Sequence, residues 1–326
     1  NPTVGDFPGN RERILRQVAQ ARQQGADLAI FPEHALLGYP PRDLLHRPGF
    51  LDAADREFAA IVEASRDIAI VIGHIARAGT RPATKADPSA AAFGGDLLLH
   101  NAAFLLADGN VVGHQAKHEL PSFDVFEEER YFTRGTEIVV LEWQGLRLGL
   151  SVCEDFWHEG GVLAAQAGAG VDLLINVSAS PYFRGKPLLR YALARGWAER
   201  AAVPFAYANL VGGQDELVFD GGSFALRPDG AFLLSAPRFA EGLYLFDTAA
   251  PPVAPPRPDG MDCVREALVV GIRDYIEKNG IRGVVVGISG GVDSAVVAAL
   301  ACQALGPERV VGTFFPSPYT AAESAQ

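Results

Sequence analysis

"GVVVGISGGVDSAVVAAL", residues 283–300, reads as an apolar strand, a turn of glycine and serine, and a helix. Glycines at 287, 290 and 291 let the backbone turn sharply and come close to a ligand. Successive N–H groups of such a turn (Gly287, Ile288, Ser289, Gly290, Gly291, Val292, Asp293, Ser294) point into one concavity, and the helix that follows adds the positive end of its dipole. Ser289 and Ser294 offer hydroxyls to phosphate oxygens, and Asp293 can hold a magnesium ion beside them. The Walker pattern fails for want of its lysine, and GxGxxG is absent too. The bland alternative is a tight strand-to-helix turn capped by Ser or Asp. Downstream, "RVVGTFFPS" (309–317) reads as a second strand, which completes a β-α-β unit and begins a parallel sheet. One such unit cannot cover both faces of its sheet, so this domain is expected to be incomplete in the sequence given.

Upstream of the turn, "MDCVREALVVGIRDYIEKNG" (261–280) places Val264, Leu268, Ile272 and Tyr275 at helical spacing and stops on glycine. The proline-rich "TAAPPVAPPRPDG" (248–260) cannot continue helix or sheet and reads as a stiff linker, part polyproline II. The expected organisation is therefore a first domain over 1–248, a linker over 249–260 and the beginning of a second domain over 261–326.

The first domain mixes buried strands, hairpins and helices. "NRERILRQVAQARQQG" puts Ile14, Leu15, Val18 and Ala21 on one helical face, ahead of the strand in "DLAIFPE" (27–33). "IAIVIGH" (68–74), "VDLLINVS" (171–178) and "VPFAYANLVG" (203–212) are further strand-length apolar runs. Hairpins are predicted across Asp108-Gly109, Gln144-Gly145 and Asp229-Gly230. This pattern predicts a sandwich with helices outside and sheets inside.

Composition narrows the function classes. The net charge of −11 sets aside a basic nucleic-acid binder and leaves any phosphate site to be built locally. No apolar run reaches about 18 residues, so no membrane-spanning helix is expected. Cys153, Cys263 and Cys302 form no CxxC pair, which predicts a reducing compartment, the cytoplasm. The start "NPTVGDFPGN" has neither a basic nor an apolar leader region and no initiator Met, so the sequence is expected to begin inside the natural chain.

Polar residues stand where strands end. Glu33 follows one apolar strand, Lys117 ends a second with Glu128 just beyond, and Cys153 ends a third. A cysteine needs a base or a positive neighbour to attack a carbonyl as thiolate. A glutamate can take that proton and pass it to a leaving amine, and a lysine can stabilise the oxyanion. Each also has an ordinary reading: a buried small hydrophobe, a helix cap, a solvated strand end, and in "EEER" (127–130) a solvated helical face. No spacing rule makes these residues meet.

Resemblance separates these readings. "FPE", the K-x-x-L-P stretch and "CEDFW" resemble the nitrilase (carbon–nitrogen hydrolase) superfamily. That resemblance implies an α-β-β-α sandwich with Glu33 as general base, Lys117 as oxyanion stabiliser, Cys153 as nucleophile and Glu128 as an assisting carboxylate. "SGGVDS" resembles the N-type ATP pyrophosphatases (the PP-loop family), a Rossmann-like parallel α/β fold that binds ATP and transfers AMP. The two together, with "LPSFDVFEEERYF", "NVSASPYFRGK" and "FFPSPYT", resemble the glutamine-dependent NAD synthetase family. The substrates implied are glutamine, deamido-NAD and ATP with Mg2+, in a homo-oligomer. Ser180 and Lys186 fall where that family contacts glutamine, as does Phe123, which replaces a tyrosine; either the lost hydrogen bond weakens glutamine by about 1 kcal/mol or a backbone contact takes its place. Two rival readings are an amidase with a regulatory nucleotide site and a scaffold for a synthetase that takes ammonia from solution.

Overall fold

The structure is a computed structural model and describes residues 1–80 and 97–316. Ser317, at the end of the second strand expected above, and residues 317–320 of "FFPSPYT" lie outside the described residues.

Helix α1 (Phe7–Gln23) opens where the Asp6 side chain accepts the Gly9 N–H. It buries Ile14, Val18 and Ala21, with Leu15 half-buried at the edge of the stripe. The chain then enters β1 (Leu28–Ile30), passes through α2 (Pro48–Ala64), and continues into β2 (Ala69–Thr80), β3 (Leu97–Ala107) and β4 (Asn110–Ala116). These strands make one sheet in sequence order, with β1 parallel to β2 and the others antiparallel. A second sheet of six strands runs β12-β11-β8-β7-β6-β5. Its members are β5 (Val140–Trp143), β6 (Leu146–Val152), β7 (Leu173–Ser178), β8 (Phe205–Asn209), β11 (Phe224–Leu226) and β12 (Phe232–Ser235).

Strand alternation assigns the faces. On β2, Ile70 and Ile72 pack with α1 and α2, whereas Ala69 and Val71 join Leu105, Leu150, Val152 and Ile175 between the sheets. On the far side, Leu163 of α4 (Gly161–Gly168) and Trp197 of α5 (Lys186–Ala201) cover Phe205 and Phe224 of the second sheet. Between β4 and β5 lies the short α3 (Glu128–Tyr131). The layers are therefore α-β-β-α. The Asp108-Gly109 turn joins β3 to β4 with φ values of 53° and 73°, the left-handed pair that a two-residue hairpin requires.

Two features depart from the sequence reading. A hairpin of β9 (Val211–Gln214) and β10 (Leu217–Asp220) turns at Asp215 and Glu216, without the glycine that marked the other turns. Helix α6 (Met261–Lys278) buries Cys263, Ala267, Val270 and Asp274, while Leu268 and Tyr275 of the stripe expected from spacing are exposed. The reason is what α6 docks on. Gly271 and Gly213 bring helix and hairpin together so closely that a Cβ on Gly213 would lie 3.1 Å from the Gly271 Cα. Asp274 accepts the Gly213 N–H at 2.7 Å, and Lys278 Nζ donates to the Gly213 carbonyl at 2.7 Å.

Beyond α6, β13 (Val284–Ile288), α7 (Val292–Leu305) and β14 (Val310–Phe314) form the expected parallel β-α-β unit, in register from Val284↔Val310 to Ile288↔Phe314. This is the start of a Rossmann-like parallel α/β domain. No helix among the described residues is long and apolar enough to cross a membrane.

Replacing Asp274 with Ala strands the buried Gly213 N–H, a loss of about 1–3 kcal/mol. Urea unfolding should show that loss as a lower midpoint; an unchanged midpoint would mean that the docking does not depend on this bond.

Candidate active site

The strand ends converge. Glu33 stands three residues past β1, Lys117 directly follows β4, Cys153 directly follows β6 and Ala179 directly follows β7. Lys117 Nζ lies 3.0 Å from Glu33 Oε1 and 2.8 Å from Glu128 Oε2, and all three side chains are buried. Asn101 Nδ2 donates to Glu33 Oε1 at 2.6 Å, and the Ala179 N–H donates to Glu33 Oε2 at 2.6 Å. The Tyr39 hydroxyl donates to Glu128 Oε1 at 2.8 Å. Gly73 on β2 makes room for this: a Cβ there would fall 2.3 Å from the Glu33 Cα.

One ammonium thus serves two carboxylates, and charge is shared unequally. Burial by itself would raise Glu33, but the Lys117 charge and the Asn101 bond bring it below the ordinary glutamate value. Glu128 is pushed up to about 7, by burial first; the Glu33 charge adds to this and Lys117 only partly opposes it. Burial pulls Lys117 down, yet the two carboxylates hold it well above an ordinary lysine. Burial, then the Glu33 charge, pushes the Cys153 thiol up. At neutral pH the cluster therefore rests as protonated thiol, ionised Glu33 and charged Lys117. His34 is lowered to about 4 by burial and stays neutral.

Cys153 opens a 3-10 turn (Cys153–Trp157) with φ 41°, in the left-handed region that a non-glycine residue seldom adopts. Asp155 holds that elbow. Its Oδ2 accepts the Val152 N–H, and its Oδ1 accepts the N–H groups of His118 and Glu119, each at 3.0 Å. One carboxylate thereby ties the residue before the cysteine to the two residues after Lys117. The Cys153 thiol makes no hydrogen bond to any described residue and is 4% exposed. Such a site can pass a proton from thiol to Glu33 as the sulfur attacks, and can present Lys117 to the oxygen that becomes negative.

The remaining residues fall at different depths. Ser180 is buried; its N–H reaches Asn209 Oδ1 at 2.8 Å and its Oγ accepts from Arg190 at 3.1 Å. Lys186 begins α5, with its ammonium over the rings of Phe183 and Trp157, and burial followed by Arg190 lowers it to about 8. Phe123 is exposed and touches the ring of Phe126 rather than the charged cluster. Sequence reasoning missed Tyr39, Asn101, Asp155 and Arg190. A polar Asn101 opening the apolar run "AAFLLA" was the one visible signal.

The glycine turn is a separate candidate. Gly290 takes φ 79°, the Ser289 N–H reaches Ser294 Oγ at 3.2 Å, and Ser294 Oγ donates to the Gly291 carbonyl at 3.0 Å. Residues 292–294 form the first turn of α7, with Gly287 and Ile288 ending β13. Among the described residues no three His, Cys, Asp or Glu gather as a metal cage. A lone carboxylate such as Asp293 does suit magnesium, which takes one or two carboxylates and completes its shell with substrate phosphates and water.

A sandwich of this layering with a buried Glu-Lys pair beside a strand-end cysteine defines a carbon–nitrogen hydrolase. The chain belongs to that family: the carbon-nitrogen hydrolase model matches residues 1–250, and an NAD synthase model matches residues 264–326. It is 37% identical to the glutamine-dependent NAD(+) synthetase of Synechocystis, with 100% of the chain aligned to 60% of that protein. The enzyme of the same name from Thermotoga maritima is 35% identical, with 100% and 61% covered. Among solved structures, the glutamine-dependent NAD+ synthetase of Acinetobacter baumannii in complex with ADP superposes with a TM-score of 0.87 at 35% identity, covering 100% of the chain and 60% of that structure. An amidase of the nitrilase superfamily from Nesterenkonia superposes with a TM-score of 0.61 at 26% identity, over 73% of the chain and 83% of its own. The chain thus spans about three fifths of its synthetase relatives.

Asp155→Asn sets an amide NH2 against the Val152 N–H and loosens the elbow. Alkylation of Cys153 by iodoacetamide, followed by mass spectrometry, should change at least fivefold in rate; an unchanged rate would mean that Asp155 does not position the thiol.

Proposed function

We propose that the protein is a glutamine-dependent NAD synthetase, with residues 1–248 as its glutaminase domain, 249–260 as linker and 261–326 as the beginning of its ATP-binding domain. The observation that carries the reading is the buried Lys117, held between Glu33 and Glu128 at the strand ends where Cys153 also stands. The glycine turn of residues 287–294 and the relatives named above support the second half.

In the first half-reaction the Cys153 sulfur attacks the side-chain amide carbon of glutamine as its proton moves to Glu33. Lys117 stabilises the amide oxygen as it becomes negative, and Glu128 helps to hold Lys117 in place. The proton returns from Glu33 to the leaving nitrogen, which departs as ammonia and leaves a glutamyl thioester on Cys153. A water, deprotonated by Glu33, attacks that thioester and releases glutamate and the thiol. Ser180 and Lys186 bind the glutamine backbone, and Phe123 lines the mouth of the pocket.

In the second half-reaction the carboxylate of deamido-NAD displaces pyrophosphate from ATP, forming an acyl adenylate. Ammonia attacks its carbonyl and AMP leaves, giving NAD. The backbone N–H groups and serines of 287–294 hold the phosphates. Asp293 would hold Mg2+, whose charge balances that of the leaving pyrophosphate. The reading includes a homo-oligomer in the cytoplasm, the latter resting on three cysteines, an odd number with no CxxC pair.

The test is NAD formation by the full-length chain from deamido-NAD, ATP and Mg2+, with glutamine or ammonium as nitrogen source. Cys153→Ala should abolish the glutamine-dependent rate, by 1,000-fold or more, and keep the ammonium-dependent rate. Glutamine left untouched by the wild type would point to an amidase acting on another substrate.

The lowered pKa of Lys186 gives a second expectation. A lysine depressed to about 8 is charged below that pH and loses its charge as pH rises through it. If its charge binds the glutamine carboxylate, the KM for glutamine rises above pH 8. Lys186→Arg, which stays charged, should flatten that limb of the kcat/KM profile; a limb that survives the substitution belongs to another group.

A further inference from the structure

The linker does more than space two domains. Asp259, two residues before α6, has a side chain only 2% exposed and three donors on its carboxylate. Tyr182 Oη donates to Oδ1 at 2.9 Å, Arg238 Nη1 to Oδ1 at 3.2 Å, and the Gly185 N–H to Oδ2 at 2.5 Å. Gly185, with φ 92°, is the N-cap of α5. Asp259 thus stabilises the positive end of a helix 74 residues away in sequence, the role that α5's own N-cap, being glycine, has no side chain to fill.

The segment it grips is the arch from Ser180 to Lys186. At the near end, Arg190 holds the Ser180 carbonyl at 2.8 Å while pairing with Asp220 at 2.7 Å. Along the arch, the Tyr182 N–H bonds the Val218 carbonyl of β10 at 2.7 Å, and β10 belongs to the hairpin on which α6 docks. At the far end the linker's Asp259 holds the Gly185 N–H, beside the turn's own bond from the Lys186 N–H to the Phe183 carbonyl at 3.0 Å. Arg238 pins the linker itself from the sandwich side, donating to the carbonyls of Arg257 and Pro258 at 3.1 and 2.9 Å. The linker's Asp259 therefore grips both Tyr182 and Gly185, and α6 touches the arch only through the hairpin that holds the Tyr182 N–H.

We propose that Asp259 is a positioning residue for the glutamine pocket: its carboxylate clamps the Tyr182–Gly185 arch, so that the seating of the linker sets where Lys186 stands. This rests on the reading of residues 1–248 as a glutaminase. It makes the glutaminase pocket sensitive to how the linker is seated.

The test uses the full-length protein with Asp259→Asn, which removes the charge, and Tyr182→Phe, which removes one hydroxyl and is expected to fold. Glutamate release and ammonium-dependent NAD formation are measured for each. The clamp predicts a glutamine KM raised at least fivefold in both variants. It also predicts an ammonium-dependent rate within twofold of wild type, and a double variant less than multiplicatively worse than the singles. A glutamine KM within twofold of wild type in both folded variants overturns the clamp while leaving the synthetase reading intact. Equal loss of both activities also overturns it, since that is the mark of general destabilisation. Failure of the wild type to release glutamate from glutamine overturns the synthetase reading, and the clamp with it.

Discussion

A single buried ammonium governs the architecture of the first domain. Lys117 is 1% exposed, and each of its carboxylate partners arrives from a different segment, Glu33 from the end of β1 and Glu128 from α3. Removing one partner of a buried ion pair leaves an uncompensated charge, at a cost of roughly 3–5 kcal/mol. The strands must therefore end together, and the surrounding features serve that requirement. Gly73 removes the side chain that would collide with Glu33, Asn101 and the Ala179 N–H occupy both oxygens of its carboxylate, and Tyr39 occupies Glu128. Because two acids share one cation, they cannot titrate alike, and the inequality leaves Glu33 charged beside a protonated thiol.

Much of this was legible in the sequence, though not for one reason throughout. The hairpin turns were readable because Asp-Gly and Gln-Gly pairs tolerate positive φ, and the strand–turn–helix of 283–300 because glycine and apolar runs are local signals. The cluster was of another kind. Glu33 and Lys117 are 84 residues apart, and nothing local says that they touch; family resemblance supplied what spacing could not. Glu128 shows the limit most clearly, since "EEER" looks like a solvated face and only the bond from Tyr39 and the Lys117 pair explain why its first helical residue is buried.

What stayed hidden was decided by partners. The stripe on α6 could not be chosen from spacing, because the helix carries apolar residues on several sides and the buried one is set by where Gly213 lies. The β9–β10 hairpin lacked a glycine at its turn. Asp155 sits in plain sight two residues after Cys153, but its work is done on His118 and Glu119, which no local pattern brings near. The proline-rich segment was read correctly as unable to form helix or sheet, yet composition did not show that its last residues are pinned to the sandwich by Arg238.

The backbone at Cys153 carries a consequence for how this protein can vary. A φ of 41° asks a residue with a Cβ to sit where glycine or asparagine is more at ease, at a cost on the order of 1 kcal/mol. Selection for thermal tolerance alone would press on that position toward a residue with no sulfur. On the proposed reading of Cys153 as nucleophile, melting temperature and turnover are opposed at one torsion angle, and a screen that rewards only heat resistance would enrich chains that keep the fold without the thiol.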